Sequence, residues 1–198
     1  MKSRLAGALI RIASDLGELG VRWALVGGLA VSARAEPRTT RDVDVAVLTD
    51  SDAAAEALVF ELRQRGYELS ATVEQTKLKR FATARLYRPD GSRSGPVVDL
   101  LFYTSSIEFE IVEAAEHIEV LPGVVVPVAR VPHLLAMKVL ARDDRTRPQD
   151  WDDLMALLAV ASSSDIELAK ELLRTIESRG ADRGRALSSS FEQLLLER

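Results

Sequence analysis

Asp42 and Asp44 stand two residues apart in Thr40-Arg41-Asp42-Val43-Asp44-Val45-Ala46-Val47, a run whose other members suit a buried strand. Alternate residues of a strand share a face. This spacing therefore sets two carboxylates side by side and sends Val43, Val45 and Val47 to the opposite, core-facing side. Like charges at that range repel, and a sheet has no structural use for them. Divalent cations turn the repulsion into binding: Mg²⁺ takes hard oxygen ligands, and two such ions clamp a phosphoryl transfer. A third acid, Asp99, interrupts the apolar run Val97-Val98-Asp99-Leu100-Leu101-Phe102. A lone carboxylate in a buried strand requires a partner or a metal. If its strand neighbours the first, the three acids converge, with Asp99 as a third ligand or as the base that draws a proton from an attacking hydroxyl. The plain alternatives are a solvated face for the pair and a salt bridge from Asp99 to Arg41 or Arg85.

Other residues fit the same chemistry with less specificity. Gly27-Gly28 joins a short apolar strand to a helical pattern fifteen residues before Asp42. Such a turn lets a phosphate approach the backbone and meet the N–H groups that open a helix, although it also occurs as a simple connection. Lys138 is the only charge in Leu134-Leu135-Ala136-Met137-Lys138-Val139-Leu140. It either snorkels to the surface or meets an anion such as a triphosphate. Asp150 and Asp153 open the next helix, where its positive end accounts for them; a role for Asp150 in orienting Lys138 is open. Lys77, Lys79, Arg80, Arg85, Arg88 and Arg93 face the single acid Asp90 in their stretch, a patch for a polyanion or a charged sheet edge. His117 and His133 have no metal-like spacing.

The elements that must position these groups follow from periodicity and punctuation. Leu5, Leu9, Ile12, Leu16 and Leu19 mark an amphipathic helix ended by Gly20. Strands are expected over Arg22–Val26, Asp42–Leu48, Tyr67–Thr72, Leu78–Tyr87 and Val97–Tyr103, with helical turns over Leu29–Ala35 and a helix over Ala53–Arg65. The segment Pro89–Pro96 reads as a turn-rich linker. Ile107–Ala115 reads as a helix, and Ile118–Val128 as two short strands around Pro122-Gly123. From Pro132 the pattern turns helical: His133–Arg142, Pro148–Ala161, Ile166–Ser178 and Arg183–Leu196. The expected architecture is α/β, a mixed sheet with flanking helices over residues 1–130 and a helical C-terminal region over 131–198.

Composition bounds the remainder. The 198 residues suit one ordinary domain or one domain with a small appendage, 47% hydrophobic and 28% charged. The absence of cysteine excludes disulfides and thiolate zinc sites. A net charge of −4 does not suit a general nucleic-acid coat protein, leaving the local basic patch to carry any such contact. Arg11 and Asp15 break the N-terminal apolar run too early for a signal peptide, and no segment is long and apolar enough to span a bilayer. A cytoplasmic protein with no membrane partner is expected.

Gly27-Gly28-Leu29-Ala30, Thr40-Arg41-Asp42-Val43-Asp44 and Val98-Asp99-Leu100 together resemble the polymerase-beta-type nucleotidyltransferase superfamily. The closer resemblance is to the AbiEii-type group, often toxins of toxin–antitoxin pairs. Ala136-Met137-Lys138 and Arg147-Pro148-Gln149-Asp150 resemble that group's further lysine and aspartate segments, and the likeness extends from about Trp23 to Leu154. The resemblance implies transfer of NMP from an NTP to an acceptor, with pyrophosphate leaving. It implies Asp42, Asp44 and Asp99 as catalytic ligands of two Mg²⁺, or Mn²⁺, ions. Gly27, Gly28 and Lys138 would hold the triphosphate, with Arg41 and Asp150 assisting. The favoured acceptor is tRNA, with a cognate antitoxin as a possible partner. A small-molecule acceptor of the antibiotic type is the alternative chemistry, and a non-catalytic nucleotide-binding or antitoxin-type partner protein is the alternative class. Many superfamily members have serine where this chain has Gly28.

Overall fold

The first apolar stripe forms α1 (Lys2–Glu18), whose Leu9, Ile12 and Leu16 are fully buried. The computed structural model describes residues 2–75, 80–87, 96–102, 104–142 and 148–197. After α1 come β1 (Trp23–Val26), α2 (Gly27–Arg34), β2 (Asp42–Val47), α3 (Asp52–Gln64), β3 (Glu68–Gln75), β4 (Arg80–Tyr87) and β5 (Val97–Leu101). Then follow α4 (Glu108–Glu113), β6 (Glu116–Leu121), β7 (Val124–Val128), α5 (Val131–Ala141), α6 (Pro148–Val160), α7 (Ser163–Ser178) and α8 (Leu187–Leu196). The fold is α/β. Among the described residues a seven-stranded mixed sheet runs in the order β3-β4-β5-β2-β1-β7-β6. The pairs β2–β5 and β1–β7 are parallel, and the others are antiparallel.

The strands that carry the acids are central, and their alternation is the reason. Val43, Val45 and Val47 of β2 are fully buried, as is Leu100 of β5. Each such side chain contributes about 1.5–3 kcal/mol relative to exposure. A slip of one residue in β2 would turn those valines outward and the aspartates into the core, so burial fixes the register. The buried apolar cluster continues from the sheet into α5, α6, α7 and α8 through Leu134, Leu135, Leu157, Leu173 and Phe191.

Local signals set most element ends. Ser51 Oγ accepts from the Ala54 N–H at 3.1 Å to start α3. Ser162 and Asp165 close a reciprocal capping box, which starts α7 at Ser163, ahead of the expected Ile166. The last helix begins at Leu187 rather than Arg183. Arg183 (φ 57°) and Gly184 (φ 75°) are left-handed, which no α-helix tolerates. The turn they form sends Arg185 back to α5, where Nη1 donates to the Arg142 carbonyl at 2.7 Å and Nη2 to the Val139 carbonyl at 2.9 Å, and also to that of Leu140. Those are orphan acceptors at a helix C-terminus, satisfied here by a cation. Of the basic patch, Lys77, Lys79, Arg88 and Arg93 lie outside the described residues, as do Arg147, Tyr103 and most of the linker Pro89–Pro96; Arg80 is described in its backbone alone. No helix among the described residues is long and apolar enough to cross a membrane.

Candidate active site

The parallel register of β2 and β5 sets Asp44 directly beside Asp99, and Asp42 beside Val97. In-register neighbours project to one face, so the three carboxylates stand on the same side of the sheet. They line one cavity of about 950 Å³ together with Gly27, Gly28, Arg41, Lys138 and Asp150. All eight residues singled out in the sequence therefore meet, from β2 and the segment before it, β5, the β1–α2 turn and the two helices α5 and α6. Burial, and then the charge of Asp99, push the Asp42 carboxyl above its ordinary range, while Arg85 and Arg41 pull it down. A half-buried acid in that position is one a cation would relieve.

The two glycines are required by close approach. Gly27 has φ 63°, and a Cβ there would lie 2.0 Å from Asp44 Oδ2 and 2.7 Å from Asp44 Cβ. The first glycine is thus the space in which the Asp44 side chain sits. A Cβ on Gly28 would lie 2.5 Å from Arg38 Nη2 and 3.0 Å from Thr40 Oγ1. The Arg38 guanidinium fills the volume that a serine side chain would need at that position. The helix these glycines open carries Ser32, whose hydroxyl donates to the Gly28 carbonyl at 2.9 Å and accepts from the Arg38 N–H at 3.2 Å.

Lys138 meets anions rather than snorkelling. Its Nζ lies 2.8 Å from Asp150 Oδ1 and 2.7 Å from Asp153 Oδ2, with all three side chains buried. Asp153 in turn accepts from Arg38, Nε to Oδ1 at 2.5 Å and Nη2 to Oδ2 at 2.8 Å. A continuous chain of charge, Asp150–Lys138–Asp153–Arg38, ties α5 and α6 to the segment that precedes β2. Asp150 and Asp153 hold Lys138 between them. The acidic start of α6 is explained by this pairing more than by the helix dipole, because both carboxylates are buried.

Asp99 is held by Arg85, the salt-bridge partner weighed against Arg41 in the sequence. Arg85 stands opposite Asp99 in the antiparallel β4–β5 register, and its Nε and Nη2 donate to Oδ1 and Oδ2 at 2.8 and 2.6 Å. That bond, reinforced by Asp42 and Asp44, raises the guanidinium above its ordinary basicity. Among the described residues no three His, Cys, Asp or Glu side chains are gathered tightly enough to hold an ion as they stand. The donor set nonetheless fits Mg²⁺ in kind, being carboxylate oxygen throughout.

Sequence reasoning passed over Arg38, which had no pattern to mark it, and gave Asp153 only a helix-end role. It also passed over Thr104 and Ser105 at the cavity wall. Buried Glu108 accepts from both of their backbone N–H groups at 2.8 Å and from both hydroxyls at 2.9 Å. Glu108, the first residue of α4, thereby fixes the loop that precedes the helix. Arg183 reaches the cavity from the turn before α8.

A family model for the nucleotidyl transferase AbiEii toxin of type IV toxin–antitoxin systems matches residues 11–198. No curated protein matches the sequence. Among solved structures, an antigenic nucleotidyltransferase-like protein from Paracoccidioides brasiliensis is similar at 18% identity and TM-score 0.56, over 96% of this chain and 93% of that one. The antibiotic-resistance factor ANT(2'')-Ia is similar at 19% identity and TM-score 0.52, over 88% of this chain and 92% of that one. At these identities the likeness is one of fold.

Proposed function

The chain belongs to the AbiEii family of nucleotidyltransferases, and from that premise we propose that it transfers NMP from an NTP to an RNA acceptor, tRNA first, in a Mg²⁺-dependent reaction. The observation that carries this reading is the register Asp44 beside Asp99, with Asp42 on the same face and Gly27 clearing room for Asp44. Asp42, Asp44 and Asp99 would hold Mg²⁺, for which Mn²⁺ can substitute. Mg²⁺ supplies charge neutralisation of the triphosphate and of the oxygens that exchange at the α-phosphorus.

The chain's own residues do the rest. The N–H groups that open α2 suit phosphate oxygens. Arg41 sets an exposed positive charge at the cavity wall, while Lys138, neutralised between Asp150 and Asp153, would reach a phosphate only by exchanging one of those partners. The acceptor hydroxyl attacks the α-phosphorus, the bond to the β-phosphate oxygen breaks, and pyrophosphate leaves. Asp99 takes the hydroxyl proton. Support for RNA as the acceptor comes from the basic stretch Lys77–Arg93. A cognate antitoxin is the partner that family membership suggests.

The test is transfer of label. Purified protein, Mg²⁺ and each NTP labelled at the α-phosphate are incubated with total tRNA, with Asp44→Asn as the control. Label on RNA from the wild type alone is expected. Label on an aminoglycoside or lincosamide instead of RNA would replace the acceptor but keep the chemistry. No transfer from any NTP, and no NTP binding, would place the chain among non-catalytic relatives.

A further inference from the structure

Asp99 lies between opposite neighbours: Asp44 on β2 to one side and Arg85 on β4 to the other. It has turned to the cation. Both of its oxygens accept from the planar guanidinium, a bidentate geometry that leaves neither oxygen outside the pair. The two partners differ in freedom. The Asp99 side chain is 9% exposed, whereas that of Arg85 is 49% exposed. Arg85 can leave for solvent at little desolvation cost, while Asp99 cannot follow it. As they stand, Asp42, Asp44 and Asp99 are not gathered into a three-ligand group.

We propose that Arg85 is a resident counter-cation that holds Asp99 in reserve, so that the ion depending on Asp99 is bound only when Arg85 swings out. The inference rests on the reading of Asp42, Asp44 and Asp99 as a metal site. Arg85 acts through Asp99 and is therefore a positioning residue. An ion held through Asp42 and Asp44 alone would leave the hydrogen bonds of Arg85 in place, since these go to Asp99. The second position stays weak because a divalent ion there faces a guanidinium already seated on its third ligand. The same contact keeps three neighbouring carboxylates tolerable when no ion is bound, which a sheet otherwise resists. Metal loading becomes ordered, and the reactive arrangement forms late.

Mn²⁺ titration followed by electron paramagnetic resonance tests this on the full chain, alone and with a non-hydrolysable NTP analogue. Arg85→Gln is expected to tighten the weaker Mn²⁺ site at least about tenfold, equivalent to ~1.4 kcal/mol, and to lower the Mg²⁺ concentration that half-saturates activity. Arg85→Lys keeps the charge without the fork and is expected to fall between the two. The double variant Arg85→Gln, Asp99→Asn is expected to lose the gain, since the effect runs through Asp99. Thermal melts of each variant establish that it is folded. Wild type that binds Mn²⁺ and loses it in Asp44→Asn, with Arg85→Gln no tighter than wild type, would overturn the inference and leave the metal site standing. Wild type and Asp44→Asn that both fail to bind Mn²⁺ would overturn the metal site itself, and the inference with it.

Discussion

Replacing Gly27 by alanine tests the coupling between the turn and the acids most directly. The residue has φ 63°, a conformation that costs a non-glycine residue about 1–2 kcal/mol. The added methyl also meets Asp44, at 2.0 Å from Oδ2, 2.6 Å from Cγ and 2.7 Å from Cβ. Rotating the carboxylate clears the first two atoms but not the third, so β2 itself must shift, an overpacking cost of about 1–3 kcal/mol. The sum is about 3 kcal/mol, or a fall in Tm of roughly 6–12 °C for a domain of this length. Displacing Asp44 by even an ångström is expected to lower kcat about a hundredfold. Gly123→Ala is the internal control. Gly123 has φ 76°, but a methyl there would have nothing within 4 Å, so it isolates the backbone cost and leaves transfer untouched. Urea denaturation and the labelled-NTP assay on both variants decide the matter. Equal destabilisation of the two, with full transfer by Gly27→Ala, would refute the claim that this glycine seats Asp44.

The chain Asp150–Lys138–Asp153–Arg38 predicts that Lys138→Met destabilises by about 3–5 kcal/mol, because it strands buried carboxylate. Adding Asp150→Asn to it should recover part of that loss, measured as a double-mutant cycle in urea. Burial, and then Arg130, lower the His133 imidazole to about 4, so the native state favours its neutral form. Stability from this group is complete above about pH 6.5 and drains as pH falls toward 4, at up to ~1.4 kcal/mol per pH unit. His133→Leu should flatten that slope, and an unchanged pH profile of Tm between 4 and 6.5 would count against it. Arg185→Ala should cost about 1–3 kcal/mol by leaving α5 carbonyls unsatisfied, and amide exchange should accelerate first in the last turn of α5.

The sequence carried the elements and the composition of the cavity because both rest on short-range rules. Valine alternation in β2 announced a strand with two acids on one face, and Gly-Gly before a helix announced a turn. What it could not carry was pairing. Nothing local says that Arg85, rather than Arg41, faces Asp99, since that follows from the β4–β5 register and hence from the whole sheet. Arg38 looked like any surface arginine, yet its guanidinium pairs with Asp153 of α6 and occupies the space that a side chain at Gly28 would need. The start of α8 was misplaced because a helical composition conceals the left-handed turn at Arg183 and Gly184 that brings Arg185 onto α5. The last turns of the chain matched no motif, but they contribute Arg183 to the cavity wall.

The pairing of Asp44 with Asp99 and of Leu25 with Val128 has a consequence for how the protein comes into being. Synthesis is vectorial: β1 and β2 leave the ribosome with one edge of each awaiting a strand not yet made. Asp42 and Asp44 then sit at the margin of an incomplete sheet, without Asp99 beside them. Lys138 emerges before Asp150 and Asp153, and α5 stays uncapped until Arg185 follows. Long-range contacts of this kind form slowly, because loop closure must come before they are made. Nascent fragments that stop short of Asp150, Asp153 and Arg185 therefore lack the complete arrangement.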